Sequence, residues 1–119
     1  MSTDERDELS ALLEERLGAA EERALAAGVE LAQVRGARAE SVDDEHDPEG
    51  STLSSDWSRL DGLARAAALQ RVAIEDALDR MEAGTYGSCI RCGAAIGIDR
   101  LRARPEAVHC IDCARELDR

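Results

Sequence analysis

The chain has 119 residues with no Phe, one Trp and one Tyr, which excludes a large aromatic core. Ala, Leu, Arg and Glu dominate, the composition of long helices and coiled coils rather than of a packed α/β enzyme. The net charge is −11, and all 15 basic residues are Arg. Residues 1–85 carry 21 acidic against 9 basic side chains and residues 86–119 carry 5 against 6, so there is no basic face to meet phosphates. Direct nucleic-acid binding is therefore disfavoured, and the expected partner is a protein surface, a basic one.

Ser2 and Glu5 stand at capping-box spacing, with acids in the first turn, and predict a helix start. From Leu13 the small and apolar residues Leu13, Leu17, Ala20, Ala24, Ala27, Leu31 and Val34 alternate steps of four and three, a heptad seam. Gly18, Gly28 and Gly36 weaken this helix at about 1 kcal/mol each, which packing must offset. The pattern stops between about residues 39 and 55, where Pro48 and Gly50 interrupt a run of carboxylates, so a connecting loop is expected there. A second helix is expected from Ser54 to Asp56 onward. Its seam is Leu53, Trp57, Leu60, Ala64, Ala67, Arg71, Ile74, Leu78 and Met81, and Gly84 is its natural C′ residue. Arg71 on this seam must snorkel outward or pair. Two helices with one seam each satisfy one another as an antiparallel hairpin within a single chain, so a monomer is expected rather than an oligomeric coiled coil. The second helix, some 28 residues, spans roughly 42 Å at about 1.5 Å per residue.

The most specific signal follows. Cys89-Ile90-Arg91-Cys92 and Cys110-Ile111-Asp112-Cys113 are two Cys-x-x-Cys pairs separated by seventeen residues, the ligand spacing of a four-cysteine zinc site. Gly93 supplies the permissive φ of a knuckle, and Ala114-Arg115-Glu116-Leu117 reads as the start of a short helix. Four thiolates suit one tetrahedral Zn²⁺ and leave no open coordination position, so the site is structural and no enzyme is expected. Disulfides would require an oxidising compartment, but Met1 precedes a charged segment with no apolar run fit for a signal peptide or membrane span. A cytoplasmic protein is expected. A thioredoxin-like redox pair lacks its βαβ context, and His109, beside Cys110, is a bystander to an already complete shell. Ile96, Ile98 and Leu101 are the few apolar residues available around the metal, so zinc binding should be part of the folding free energy. The fold expected is mostly α: a coiled-coil hairpin over residues 1–85 and a four-cysteine zinc finger with a short C-terminal helix over residues 86–119.

The run Gly84-Thr85-Tyr86-Gly87-Ser88-Cys89-Ile90-Arg91-Cys92-Gly93, with Ile96-Gly97, Arg100-Leu101, Arg104-Pro105 and Cys110-Ile111-Asp112-Cys113, resembles the DksA/TraR C4-type zinc-finger family of bacterial transcription regulators. The resemblance is strong over residues 84–113, and the preceding hairpin agrees in architecture. It implies a protein that binds RNA polymerase directly, without contacting DNA. The coiled coil enters the secondary channel, bringing acidic tip residues toward the catalytic magnesium. The family's Asp-x-x-Asp-x-Ala tip is matched by Asp44-Glu45-His46-Asp47-Pro48-Glu49, with Glu49 at the Ala position, so Asp43, Asp44, Asp47 and Glu49 are the implied tip residues. The alternatives are a zinc-containing protein–protein adaptor and a zinc-thiolate redox sensor, neither acting on polymerase.

Overall fold

The computed structural model describes residues 1–41 and 49–118, with side chains described for residues 1–37 and 54–118. It is mostly helical: α1 Thr3–Ser41, α2 Glu49–Ala83, α3 Ile98–Ala103 and α4 Ile111–Leu117. No strand occurs among the described residues; Ser88 and Ala95 form one isolated antiparallel bridge.

The start of α1 is the expected capping box. Ser2 N–H donates to Glu5 Oε1 at 3.0 Å, and Glu5 N–H donates to Ser2 Oγ at 3.1 Å. The donation from the Ser2 backbone, reinforced by the Ser2 hydroxyl contact, holds the Glu5 carboxyl below its ordinary range. The end of α2 is equally explicit. Gly84, at φ 78°, is C′; its N–H donates to Met81 O at 3.3 Å, and Thr85 N–H reaches back to Arg80 O at 2.9 Å. These two bonds are the Schellman pair, which satisfies carbonyls the helix leaves open and turns the chain toward the cysteines.

The connection between the long helices is shorter than the sequence pattern predicts. That pattern places a loop from 39 to 55 and starts α2 near Ser54; α1 instead runs to Ser41 and α2 begins at Glu49, with Gly50 inside it. A proline directly before a first-turn glutamate is compatible with a helix start, and an acid there meets the positive end of the macrodipole. The low propensity of Gly50, Ser51 and Thr52 is a local cost that a 35-residue helix, nucleated elsewhere, carries. Asp43, Asp44 and Asp47 lie outside the described residues. Glu49 opens α2, and its side chain lies outside the described set.

The chain divides into two compact units, residues 1–18 with 71–119 and residues 19–70. In the first, Leu9, Leu13, Ile74, Ala77 and Met81 are buried, and Arg6 Nη2 donates to Met81 O at 2.9 Å, an antiparallel pairing of α1 with α2. In the second, Ala20, Ala27, Leu60 and Ala67 are buried, and Arg23 Nη2 donates to Gln70 Oε1 at 2.6 Å, again antiparallel. The seam residues Leu17, Ala24, Leu31, Val34, Trp57, Ala64 and Leu78 are half-buried. Leu9 extends the seam one heptad step before Leu13, and Ala77 joins it beside Ile74. Arg71 does snorkel: it is exposed and lies 3.8 Å from Glu75. No helix among the described residues is long and apolar enough to cross a membrane.

Candidate metal centre

Two short turns bring the cysteines together. In the first, Gly93 takes φ 78° and its N–H donates to Cys89 O at 2.9 Å, while Cys89 N–H donates to Ala94 O at 2.8 Å. Only a residue free of Cβ strain reverses the chain so tightly after Cys92. Ile90 N–H donates to Val108 O at 2.9 Å and so ties the first turn to the segment entering the second. In the second, Cys110 is the N-cap of α4 and Cys113 lies in its first turn, where the helix fixes their relative position. The short helix expected after the second pair therefore begins at Ile111, between the two sulfurs.

All four Sγ atoms lie within 4.8 Å of one another, the group among the described residues able to hold a metal ion. A zinc ion held by four sulfurs at about 2.3 Å sets them roughly 3.8 Å apart. The Cys92 and Cys110 sulfurs are 3.7 Å apart, which fits an edge of that tetrahedron. Cys89, Cys110 and Cys113 are buried and Cys92 is exposed. As thiols the four are not equivalent. Burial pushes Cys89 up, but backbone N–H groups of Cys110, Cys92 and Arg91 directed at its sulfur outweigh that and bring it down to about 6. Cys113 is pushed up to about 12 by burial, then by thiol hydrogen bonds to Cys110, Cys92 and Cys89. A divalent cation resolves this crowding of sulfurs, because it replaces shared protons with four metal–thiolate bonds. A metal held by all four sulfurs would have a closed shell with no position open to a substrate or water, which suits a structural role.

The side chains around the sulfurs fasten the centre to the helix ends. Tyr86 OH donates to Pro105 O at 2.8 Å, and burial pushes its pKa up to about 12, with Arg80 opposing and Glu106 adding. Arg102 donates from Nε and Nη2 to the Glu8 carboxylate at 3.2 Å, joining α3 to the first turns of α1. Arg91 pairs with Glu116 of α4, and Arg100 Nε donates to His109 O at 3.0 Å. His109 thus contributes a backbone carbonyl and stands outside the sulfur group. Leu101, Ile96 and Pro105 are buried beneath the site, whereas Ile98 is half-buried. The partners of Arg91, Arg100, Arg102 and Tyr86 were not legible in the sequence, because each reaches across 9 to 94 positions.

Residues 84–119 match the profile of the prokaryotic DksA/TraR C4-type zinc finger. The cysteine module is a DksA/TraR zinc finger. Its cofactor is one zinc ion, and the module accounts for the two knuckles and the run from Gly84 that precedes them. A protein of Aquifex aeolicus is 42% identical over 60 residues, covering 50% of this chain and 41% of the relative. The RNA polymerase-binding transcription factor DksA of Escherichia coli K12 is 52% identical over 40 residues, covering 34% of this chain and 26% of DksA; that of Haemophilus influenzae is 50% identical over 40 residues. The chain thus spans less than half the length of the relatives matched in sequence. Likeness in fold is wider than likeness in sequence. The structure of the transcription factor DksA2 from Pseudomonas aeruginosa superposes with a TM-score of 0.82 at 22% identity, covering 99% of this chain and 86% of DksA2. The DksA/TraR zinc finger therefore sits here in a DksA-like helical fold.

Proposed function

We propose that the protein is a transcription regulator that binds RNA polymerase directly, through its secondary channel, without binding DNA. The observation that carries the reading is the combination in one chain of a DksA/TraR zinc finger with a helical fold shared with DksA2 over 99% of its length. In this reading Cys89, Cys92, Cys110 and Cys113 are the zinc ligands of a finger over residues 86–119, and residues 1–85 are the helical hairpin of a monomer. Asp43, Asp44 and Asp47, with Glu49 at the start of α2, are the tip residues that approach the catalytic magnesium. Carboxylates suit the neighbourhood of Mg²⁺ and of the basic side chains that handle nucleotides. The net charge of −11 supports a protein partner over DNA, since duplex binding draws on lysines and arginines gathered on one face. The protein acts in the cytoplasm, where polymerase works.

The test is transcription in vitro with the wild type and the Asp44→Asn/Asp47→Asn variant, both at concentrations that saturate polymerase. Asn removes charge at nearly constant shape, so binding weakens by no more than about 1 to 2 kcal/mol while the effect on transcripts disappears. Identical transcript profiles for the two proteins would remove the tip carboxylates from the mechanism.

A further inference from the structure

Arg91 is the second variable position of the first Cys-x-x-Cys pair, and it reaches both halves of the sulfur group. Its backbone N–H is directed at the Cys89 sulfur. Its side chain crosses to α4, where Nη1 pairs with Glu116 Oε2 at 2.5 Å across 25 positions. As a thiolate, Cys113 accepts from the same guanidinium and attracts it. The register of α4 explains why these three side chains meet. Glu116 stands three positions after Cys113, on the same face of the helix, whereas Arg115, two positions on, points about 200° away around the axis. A carboxylate beside a thiolate repels it, so the two share a face at a cost that a cation facing both removes. Arg91 supplies that cation.

Resting on the reading of Cys89, Cys92, Cys110 and Cys113 as zinc ligands, we propose that Arg91 is a positioning residue for the zinc centre: oriented by Glu116, its guanidinium aims the Cys113 sulfur at the metal and offsets part of the charge of the four-sulfur shell. The pair thereby sets how tightly this finger keeps its ion. Taken alone it would matter little, because the Arg91 and Glu116 side chains are 45% and 61% exposed and an isolated ion pair at such a surface adds little to stability. Beside the metal it has more to act on. One Zn²⁺ and four thiolates sum to −2 (2 − 4), in a chain whose net charge is already −11, so the metal-bound form gains from a guanidinium next to a ligand sulfur. Groups that hydrogen-bond to ligand atoms in this way orient the ligand and tune the metal's affinity.

The experiment uses the full chain and reads metal binding in two ways: zinc affinity by competition with a chromophoric chelator, and the sulfur-to-metal charge-transfer band with Co²⁺ in place of zinc. The variants are Arg91→Met, Arg91→Lys, Glu116→Gln and, as the control, Arg115→Met, which removes one exposed positive charge from α4. Arg91→Met lowers zinc affinity about tenfold or more. It also moves the charge-transfer band to lower energy, because a sulfur relieved of its donor gives up electrons more readily. Arg91→Lys recovers part of the affinity through its charge, but a compact ammonium does not serve the carboxylate and the sulfur together, so the band recovers less. Glu116→Gln falls between, and Arg115→Met stays within about twofold with the band unmoved. If the wild type holds the metal and Arg91→Met holds it as tightly, the proposal is overturned and the zinc ligands stand. Weakened affinity with an unmoved band would reduce Arg91 to a fastener of α4 and overturn the positioning role. Equal losses in Arg91→Met and Arg115→Met would assign the effect to net charge and overturn it too. If the wild type binds no metal, this proposal and the ligand reading fall together. Circular dichroism with excess metal checks folding; should Arg91→Met fail it, the exposed, shape-conserving Glu116→Gln decides by the same two readouts.

Discussion

Removing zinc should cost this protein a defined fraction of its helix. α3 and α4 contribute 6 and 7 residues, against 39 and 35 in α1 and α2, so the finger holds 13 of 87 helical residues, or about 15%. The finger cannot keep its form without the ion, because Ile96, Leu101 and Pro105 are the buried apolar residues that remain beside four sulfurs left without their metal. The loss extends a little beyond the finger, since the Arg102–Glu8 and Tyr86–Pro105 contacts go with it and free about one turn at the start of α1 and one at the end of α2. Far-UV ellipticity should therefore fall by about 15 to 25% on chelation, local unfolding rather than collapse. Two single aromatic residues report the two units separately. Trp57, in residues 19–70, should keep its fluorescence, while Tyr86 becomes solvent-exposed. Cys92→Ser, which removes the one exposed ligand, should reproduce the partial loss without a chelator. Loss of more than half the ellipticity, with a shift in Trp57, would show that the helices depend on the ion and refute this reasoning.

Three further outcomes follow from burial and ionisation. Ile74→Ala, at a fully buried position, should lower unfolding stability by about 2 to 5 kcal/mol in a urea titration, whereas Leu69→Ala, at 73% exposure, should cost under about 0.5 kcal/mol; equal losses would contradict the assigned seam. Tyr86 is the single tyrosine, so alkaline absorbance titration should show a midpoint near 12 in the folded protein. Because the folded form holds that proton more tightly than the unfolded form, the stability it contributes is present below about pH 10 and is lost as pH rises toward 12. A midpoint near 10 in folded protein would remove the burial argument. Glu5 works in the opposite sense: its folded pKa is depressed, so its contribution is present above the ordinary carboxylate range and fades as pH falls through the lowered value. Glu5→Gln should therefore flatten the acid limb of the stability profile, and an unchanged acid limb would show that the capping box does not persist in solution.

Much of this architecture was legible because its signals are local. Ser2 and Glu5, Gly84, Gly93 and the two cysteine pairs each act within a few positions, and the heptad seams need only a period to be read. The placement of α2 was less so: Pro48 and Gly50 argue for a break, but helix cooperativity moves the boundary to Glu49. The contacts that fasten the finger were not readable at all. Glu8 and Arg102 are ordinary surface charges in the sequence, and nothing local marks them as partners across 94 positions. Tyr86 is similar: a lone tyrosine beside a glycine reads as linker, yet its hydroxyl secures the segment that leads to Cys110.

The central claim is that polymerase itself is the target, and direct binding to purified, DNA-free core RNA polymerase tests it most simply. The zinc-loaded protein should bind saturably, one per enzyme, and show no affinity for duplex or single-stranded DNA alone under the same conditions. Binding to DNA in the absence of polymerase, or no binding to polymerase at any concentration where the protein remains soluble and zinc-loaded, would contradict the account.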